Sequence, residues 1–141
     1  MAGAVLTAQE IEHLLTTEFP QVFRPGSGFS IERVDAKSIT VRNRYHDKMI
    51  RPGGTISGPT MMALADFAMY VAVLAAVGPI PLAVTINLNI NFLRKPAQAD
   101  LLAEARLMKV GKRLAVGEVT IFSEGEEEPV AHVTSTYSVP E

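Results

Sequence analysis

The stretch Ser57-Gly-Pro-Thr-Met-Met-Ala-Leu-Ala-Asp66-Phe-Ala-Met-Tyr-Val-Ala-Val-Leu-Ala-Ala-Val77-Gly-Pro79 decides the architecture. Ser57 or Gly58 is a suitable N-cap, and Pro59 is tolerated in a first helical turn because its missing N–H would have had no intrahelical partner. Gly78-Pro79 ends the helix. From Met61 to Val77 apolar residues occupy nearly every face, so the helix must be surrounded rather than laid on a surface. A run of about 18 apolar residues also raises a membrane span. Asp66 in its middle, Gly/Pro flanks without charged or aromatic anchors, and alternating strands elsewhere favour a buried core helix.

Outward from that helix the chain alternates. Leu82 to Leu93 places Ile86, Leu88, Ile90 and Phe92 on one face and Thr85, Asn87, Asn89 and Asn91 on the other, the pattern of an antiparallel strand with one buried face. Leu101 to Val110, Leu114 to Phe122 and Pro129 to Val139 have strand character too, with Val110-Gly111-Lys112 and Glu124-Gly125-Glu126 as turns. Before the helix, Phe29 to Val34 and Ile39 to Tyr45 read as strands joined through Asp35-Ala36-Lys37-Ser38, and Tyr45 to Ile56 reads as irregular chain around Pro52-Gly53-Gly54. Thr7-Ala-Gln-Glu10 fits a capping box ahead of Ile11, Leu14 and Leu15, which predicts a short N-terminal helix ending before Phe19-Pro20. About six strands, one short helix and one wholly apolar helix predict an α+β fold, an antiparallel sheet curled around the long helix.

With 141 residues, 48% of them hydrophobic, the chain suits one domain, with residues 1–27 as N-terminal helix and loop and 28–141 as core. Its 13 basic and 15 acidic residues give no field that would draw nucleic acid or an anionic membrane, so a small ligand is the expected partner. Absence of cysteine excludes a disulfide framework, a thiolate nucleophile and the usual structural zinc sites. His13, His46 and His132 have no ligand spacing, so no metal is expected. The N-terminus lacks the basic region of a signal peptide, and a cytoplasmic location is expected.

From about Tyr45 onward the sequence resembles the hotdog-fold thioesterases, the branch that includes the phenylacetate-pathway enzymes and their human mitochondrion-associated relatives. The family motif is His-Gly-Gly leading into a helix that bears Asp or Glu nine residues after the His. Here it corresponds to Ser57-Gly58-Pro59 and Asp66, flanked by Gly54-Thr55-Ile56 and Met62-Ala-Leu-Ala-Asp-Phe-Ala68. Thr85-Ile-Asn-Leu-Asn-Ile-Asn-Phe-Leu-Arg-Lys-Pro96 is similar to the family's next strand and turn, and Lys109-Val-Gly-Lys-Arg113 to its following hairpin. Ser57 replaces the motif's His, Pro59 its second Gly, and Arg51 an Asn often found six residues earlier.

The resemblance implies hydrolysis of acyl-CoA thioesters, with coenzyme A as part of the substrate and no separate cofactor. Gly58 would offer its backbone N–H to the oxyanion at the positive end of the helix. Asp66, a lone acid among apolar neighbours, would act as general base on water or as nucleophile. Thr85 would assist from the Asp66 side, and Ser57 would help place substrate or water. Arg51, Gly54 and Pro59 would border the substrate, and Arg94-Lys95 with Lys112-Arg113 would meet the phosphates of coenzyme A. Gly58 and Asp66 lie about 12 Å apart along the helix, too far to act on one carbonyl carbon. A two-fold dimer that faces Gly58 of one helix with Asp66 of the other resolves this, as the family's own assembly implies, with a dimer of dimers also open. Two further functions fit the same fold: an acyl-CoA-binding protein without turnover, and hydratase or dehydratase chemistry, which lacks a His paired with the helix acid.

Overall fold

The computed structural model describes residues 5–35 and 38–140. Helix α1 (Ala8–Glu18) opens on the expected capping box: Thr7 accepts from the Glu10 N–H, and the Glu10 carboxylate accepts from the Thr7 N–H. Strands β1 (Phe29–Val34) and β2 (Ser38–Asn43) follow. They pair antiparallel, and the centre of the expected Asp35–Ser38 connection, residues 36–37, lies outside the described residues. Where irregular chain was expected there is a turn of 3-10 helix (Asp47–Met49) and a short ladder of β3 (Ile50–Arg51) with β4 (Thr55–Ile56). Gly53 and Gly54 close that ladder at φ of 100° and 80°, a region costly for residues with a Cβ. Two-residue strands carry no alternation by which a sequence could reveal them.

Helix α2 (Gly58–Val77) is followed by β5 (Val84–Phe92), β6 (Leu101–Val110), β7 (Leu114–Ser123) and β8 (Ala131–Ser138). Six strands form one sheet in the order β1-β2-β6-β7-β8-β5, every neighbour antiparallel. Helix α2 lies across it, touching β2, β5, β6, β7 and β8. This is the hotdog arrangement. From Phe67 to Ala75 every residue of α2 is buried, and burial of each large side chain contributes about 1.5–3 kcal/mol. Although α2 is long and apolar enough to cross a membrane, 67% of the window that passes that test is buried inside the fold, which marks it as a core helix.

Close approach of helix to sheet needs a glycine. An added Cβ on Gly117 of β7 would stand 2.8 Å from the Arg106 carbonyl oxygen of β6 and 2.9 Å from the end of Met69 on α2. On its other side α2 meets the N-terminal segment, where Phe67 stacks between Phe23 and Phe29 at centroid distances of 5.9 and 4.5 Å.

Strand β5 corrects the sequence-based pattern. Thr85 pairs with Tyr137 and Asn87 with Thr136, which leaves Ile86 as an extra residue in a β-bulge. Leu88 and Ile90 pack on the core as expected, but Ile86 is 58% exposed. The extra residue shifts the phase, so Thr85 and Leu88 both turn toward α2, opposite Tyr137 and Ser135.

An ion-pair cluster ties the other end of the sheet. Arg42 of β2 binds Glu32 through two nitrogens at 3.1 Å, Asp100 at 2.9 Å, and Glu124. Asp100 also accepts the Tyr45 N–H at 2.7 Å. That backbone bond, followed by the Arg42 guanidinium, holds the Asp100 carboxyl below the usual carboxylate range. A carboxyl so depressed stabilises the fold above its unfolded pKa of about 4, and this is lost as pH falls through the folded value. Asp100→Asn is therefore expected to destabilise the protein by about 1–3 kcal/mol at neutral pH and to flatten part of its acid limb. Urea melts at stepped pH check both; an unchanged acid limb would place the proton-linked stability elsewhere.

Candidate active site

Asp66 stands on α2 with its side chain toward the end of β5. Thr85 Oγ1 donates to Asp66 Oδ1 at 2.5 Å, and Tyr137 OH reaches the same oxygen at 2.9 Å and the Asp66 carbonyl oxygen at 3.0 Å. Among the described residues none donates to Oδ2. The carboxylate is thus held through Oδ1, which fixes its orientation and leaves Oδ2 without a donor among the described residues. Tyr137 is 3% exposed. Burial raises its phenol far above the ordinary value, so it remains a protonated donor across the working pH range. Its ring lies against Tyr70, whose hydroxyl donates to the Pro81 carbonyl at 2.7 Å.

An apolar cavity of about 780 Å³ opens beside Asp66, Thr85 and Tyr137. Its floor is one helical face, Ala63, Asp66, Phe67 and Tyr70, at spacings that place them in line. Its far wall is the N-terminal segment, including Phe19, Val22 and Phe29. A hydrophobic chamber beside an oriented carboxylate suits an apolar group that ends in an electrophile.

Gly58 lies in a separate groove of about 370 Å³ with Arg51, Phe92, Arg94 and Lys95. Its N–H is in the first helical turn, where no intrahelical acceptor exists. Glycine suits this position for two reasons. The residue is helical yet precedes Pro59, a combination that a Cβ disfavours. An added Cβ would also stand 3.2 Å from Phe92 Cζ. The Ser57 hydroxyl serves its own helix, lying 2.8 Å from Thr60 Oγ1 and accepting from the Thr60 N–H at 3.3 Å.

The sequence-predicted residues thus fall into two groups. Thr85 joins Asp66; Arg51, Arg94 and Lys95 join Gly58. Pro59 is exposed beside that groove, and Gly54 sits in the adjoining turn, its carbonyl accepting from Gln98 Nε2 at 2.8 Å. Lys112 and Arg113 lie at the opposite end of the sheet from Arg94, on the β6–β7 turn where the Val139 N–H donates to the Arg113 carbonyl. Strand β5 touches α2 at both ends, Thr85 at Asp66 and Phe92 at Gly58, and is a sheet edge with Ile86, Phe92 and Leu93 about half exposed. Tyr137 was not singled out in the sequence, although it shares strand parity with Val133 and Ser135, and a buried tyrosine hydroxyl requires a partner.

A family model described as the thioesterase superfamily matches residues 53–130. The chain is 46% identical to a protein of Silicibacter sp. whose crystal structure was described provisionally as that of a thioesterase; the match covers 98% of this chain and 94% of that one with a TM-score of 0.88. A Ralstonia eutropha structure, provisionally a thioesterase and related to phenylacetic acid degradation, is 28% identical over 79% of this chain and 85% of its own, at a TM-score of 0.73. A Halobacterium salinarum protein provisionally named an esterase is 34% identical over 102 residues, 68% of this chain and 66% of that protein.

Proposed function

The chain belongs to the thioesterase superfamily, and from that premise we propose that it hydrolyses acyl-CoA thioesters with Asp66 as general base. One observation carries this reading: a single carboxylate in the core helix, anchored through Oδ1 by two hydroxyls and with no described residue donating to Oδ2, borders a largely apolar cavity of acyl-chain size. Water beside Oδ2 gives its proton to Asp66 as its oxygen adds to the thioester carbonyl. The tetrahedral oxyanion is received by a Gly58 N–H, and collapse expels the coenzyme A thiolate, which takes up the proton. Direct attack by Asp66, giving a mixed anhydride that water then cleaves, is distinguished by single turnover in heavy-oxygen water, which labels Asp66 only on the anhydride route.

Asp66 and Gly58 border cavities that share no residue, so the site is composed across a two-fold dimer, each helix supplying one half. The uncovered edge of β5 and the half-exposed Met62, Ile86 and Phe92 support that surface as the place of contact. Arg51, Arg94 and Lys95 then hold the phosphates of coenzyme A from the Gly58 side, and Lys112-Arg113 of the other protomer approach from the Asp66 side. A cytoplasmic enzyme without a metal is part of the same reading. Thiol release across short, medium, long and aromatic acyl-CoAs tests it, and no release from any of them would overturn it. The Ser57 hydroxyl, engaged in its own cap where the motif has His, favours the second reading, an acyl-CoA binder without turnover. That reading expects saturable binding and no free thiol.

Tyr137 acts here as a positioning residue. Tyr137→Phe is expected to lower kcat by about ten- to a hundredfold with KM within about twofold, because the carboxylate swings while the cavity keeps its shape. Combined with Thr85→Ala the losses should be less than additive, since both hydroxyls act on one oxygen. A KM rise with unchanged kcat would instead assign Tyr137 to the cavity wall.

A further inference from the structure

The first two residues of β5 are set apart from the rest of the strand. Val84 and Thr85 pair with Ser138 and Tyr137, the ladder then skips Ile86, and pairing resumes at Asn87 with Thr136. The same residues have a second pairing open to them. With Ile86 drawn into the ladder it would stand opposite Tyr137, and Thr85 opposite Ser138, on the face away from α2. Alternation along the strand prefers that regular pairing, because Ile86, 58% exposed within the chain, would then point to the core. The bulge therefore has to be favoured from outside the ladder, and the bond from Thr85 to Asp66 is one such contribution.

Tyr70 supplies another. It stands one helical turn beyond Asp66 on α2 and is 7% exposed, its ring held edge-on by Phe19 at 5.9 Å and against Tyr137 at 6.1 Å. Its hydroxyl donates to the Pro81 carbonyl at 2.7 Å, and among the described residues no other side chain hydrogen-bonds the loop between α2 and β5. Burial, followed by the charge of Glu18, raises this phenol above its ordinary value, so it stays a donor. The loop passes a displacement on instead of absorbing it. Pro79 and Pro81 have φ fixed by their rings, the Ile80 N–H donates to the Gly78 carbonyl at 2.8 Å, and the Ala83 N–H to the Ile80 carbonyl at 3.1 Å. Regular pairing would carry Thr85 along the strand by one residue, about 3.3 Å, and Pro81 with it. A hydrogen bond of 2.7 Å does not survive a displacement of that size.

We propose that Tyr70 is a positioning residue that fixes the bulged pairing of β5 through Pro81, and so delivers the Thr85 hydroxyl to Asp66. The geometric part stands on the pairing and the hydrogen bonds alone, and its effect on turnover rests on the acyl-thioesterase reading. Two tyrosines then serve the same carboxylate differently. Tyr137 touches it, and Tyr70 acts through the strand that carries Thr85.

Tyr70→Phe removes the hydroxyl and keeps both ring contacts, so it tests the tether alone. Backbone nuclear Overhauser contacts of Tyr137 read the pairing, since they run to Thr85 beside the bulge and to Ile86 in a regular ladder. In Tyr70→Phe, contacts to Ile86 are expected to appear, and kcat for an acyl-CoA that the parent hydrolyses to fall roughly three- to tenfold with KM within about twofold. On a Thr85→Ala background, which has no hydroxyl to misplace, adding Tyr70→Phe should leave kcat within about twofold. An equal loss of kcat in both backgrounds would overturn the proposal, as would contacts from Tyr137 to Thr85 that persist unchanged. A rise in KM at constant kcat would also overturn it, assigning Tyr70 to the cavity wall. If no variant or parent releases thiol, the hydrolase reading falls and the contacts decide alone: a change to Ile86 sustains the tether, and persistence at Thr85 overturns it.

Discussion

Asp66→Asn is expected to reduce turnover by at least about a hundredfold, toward 10⁴-fold, while the protein melts within a few degrees of the parent. The side chains are isosteric. The amide oxygen of the substituted side chain can still accept from Thr85 and Tyr137, the two donors that hold the carboxylate. The new amide nitrogen takes the place of Oδ2, to which no described residue donates, so it meets no opposing hydrogen. The amide can neither accept a proton from water nor form an anhydride, so both chemical routes lose their central group. Thiol release and a calorimetric melt on the same preparation check the two halves. Activity within tenfold of the parent would remove Asp66 from the chemistry, and a large drop in melting temperature would make its charge a structural one.

Gly117→Ala should act the opposite way, costing stability by about 1–3 kcal/mol, or roughly 5–10 °C in melting temperature, by overpacking the helix–sheet contact. The added methyl would meet Met69, which can turn aside, and the Arg106 carbonyl oxygen, which cannot. That oxygen belongs to the backbone of β6, paired with β7 from Leu101↔Ser123 to Val110↔Ala115. Relief requires the strands to part or the methyl to press into the helix. Thermal unfolding followed by circular dichroism measures it, and an unchanged melting temperature would show that β6 and β7 separate at little cost there.

Much of this was legible in the sequence, for reasons that differ from place to place. The boundaries of α2 follow from Ser57, Pro59 and Gly78, whose local chemistry agrees with the tertiary need for a buried helix. Asp66 stands out because nothing else in that helix is charged. The phase of β5 was not legible at its start: Val84-Thr-Ile-Asn-Leu-Asn-Ile alternates without a break, and a bulge is a matter of pairing with β8 rather than of composition. Tyr137 was readable only through its parity with Val133 and Ser135. The separation of Lys112-Arg113 from Arg94-Lys95 needed the strand order, because sequence distance does not tell which end of a sheet a turn occupies.

The bulge at Ile86 makes the phase of strand pairing, more than residue type, the determinant of the carboxylate's surroundings. Removing Ile86 alone would give β5 an unbroken ladder with β8, a more regular sheet by every local criterion. It would leave Thr85 opposite Tyr137 on the inner face, whereas keeping Ile86 and drawing it into the ladder would turn Thr85 outward and leave Asp66 with one hydroxyl in place of two. Chains of this shape that differ in whether that residue is bulged would superpose closely elsewhere yet present different faces to the helix acid. The phase of pairing at this point is therefore a coordinate along which chemistry can change while the fold stays constant.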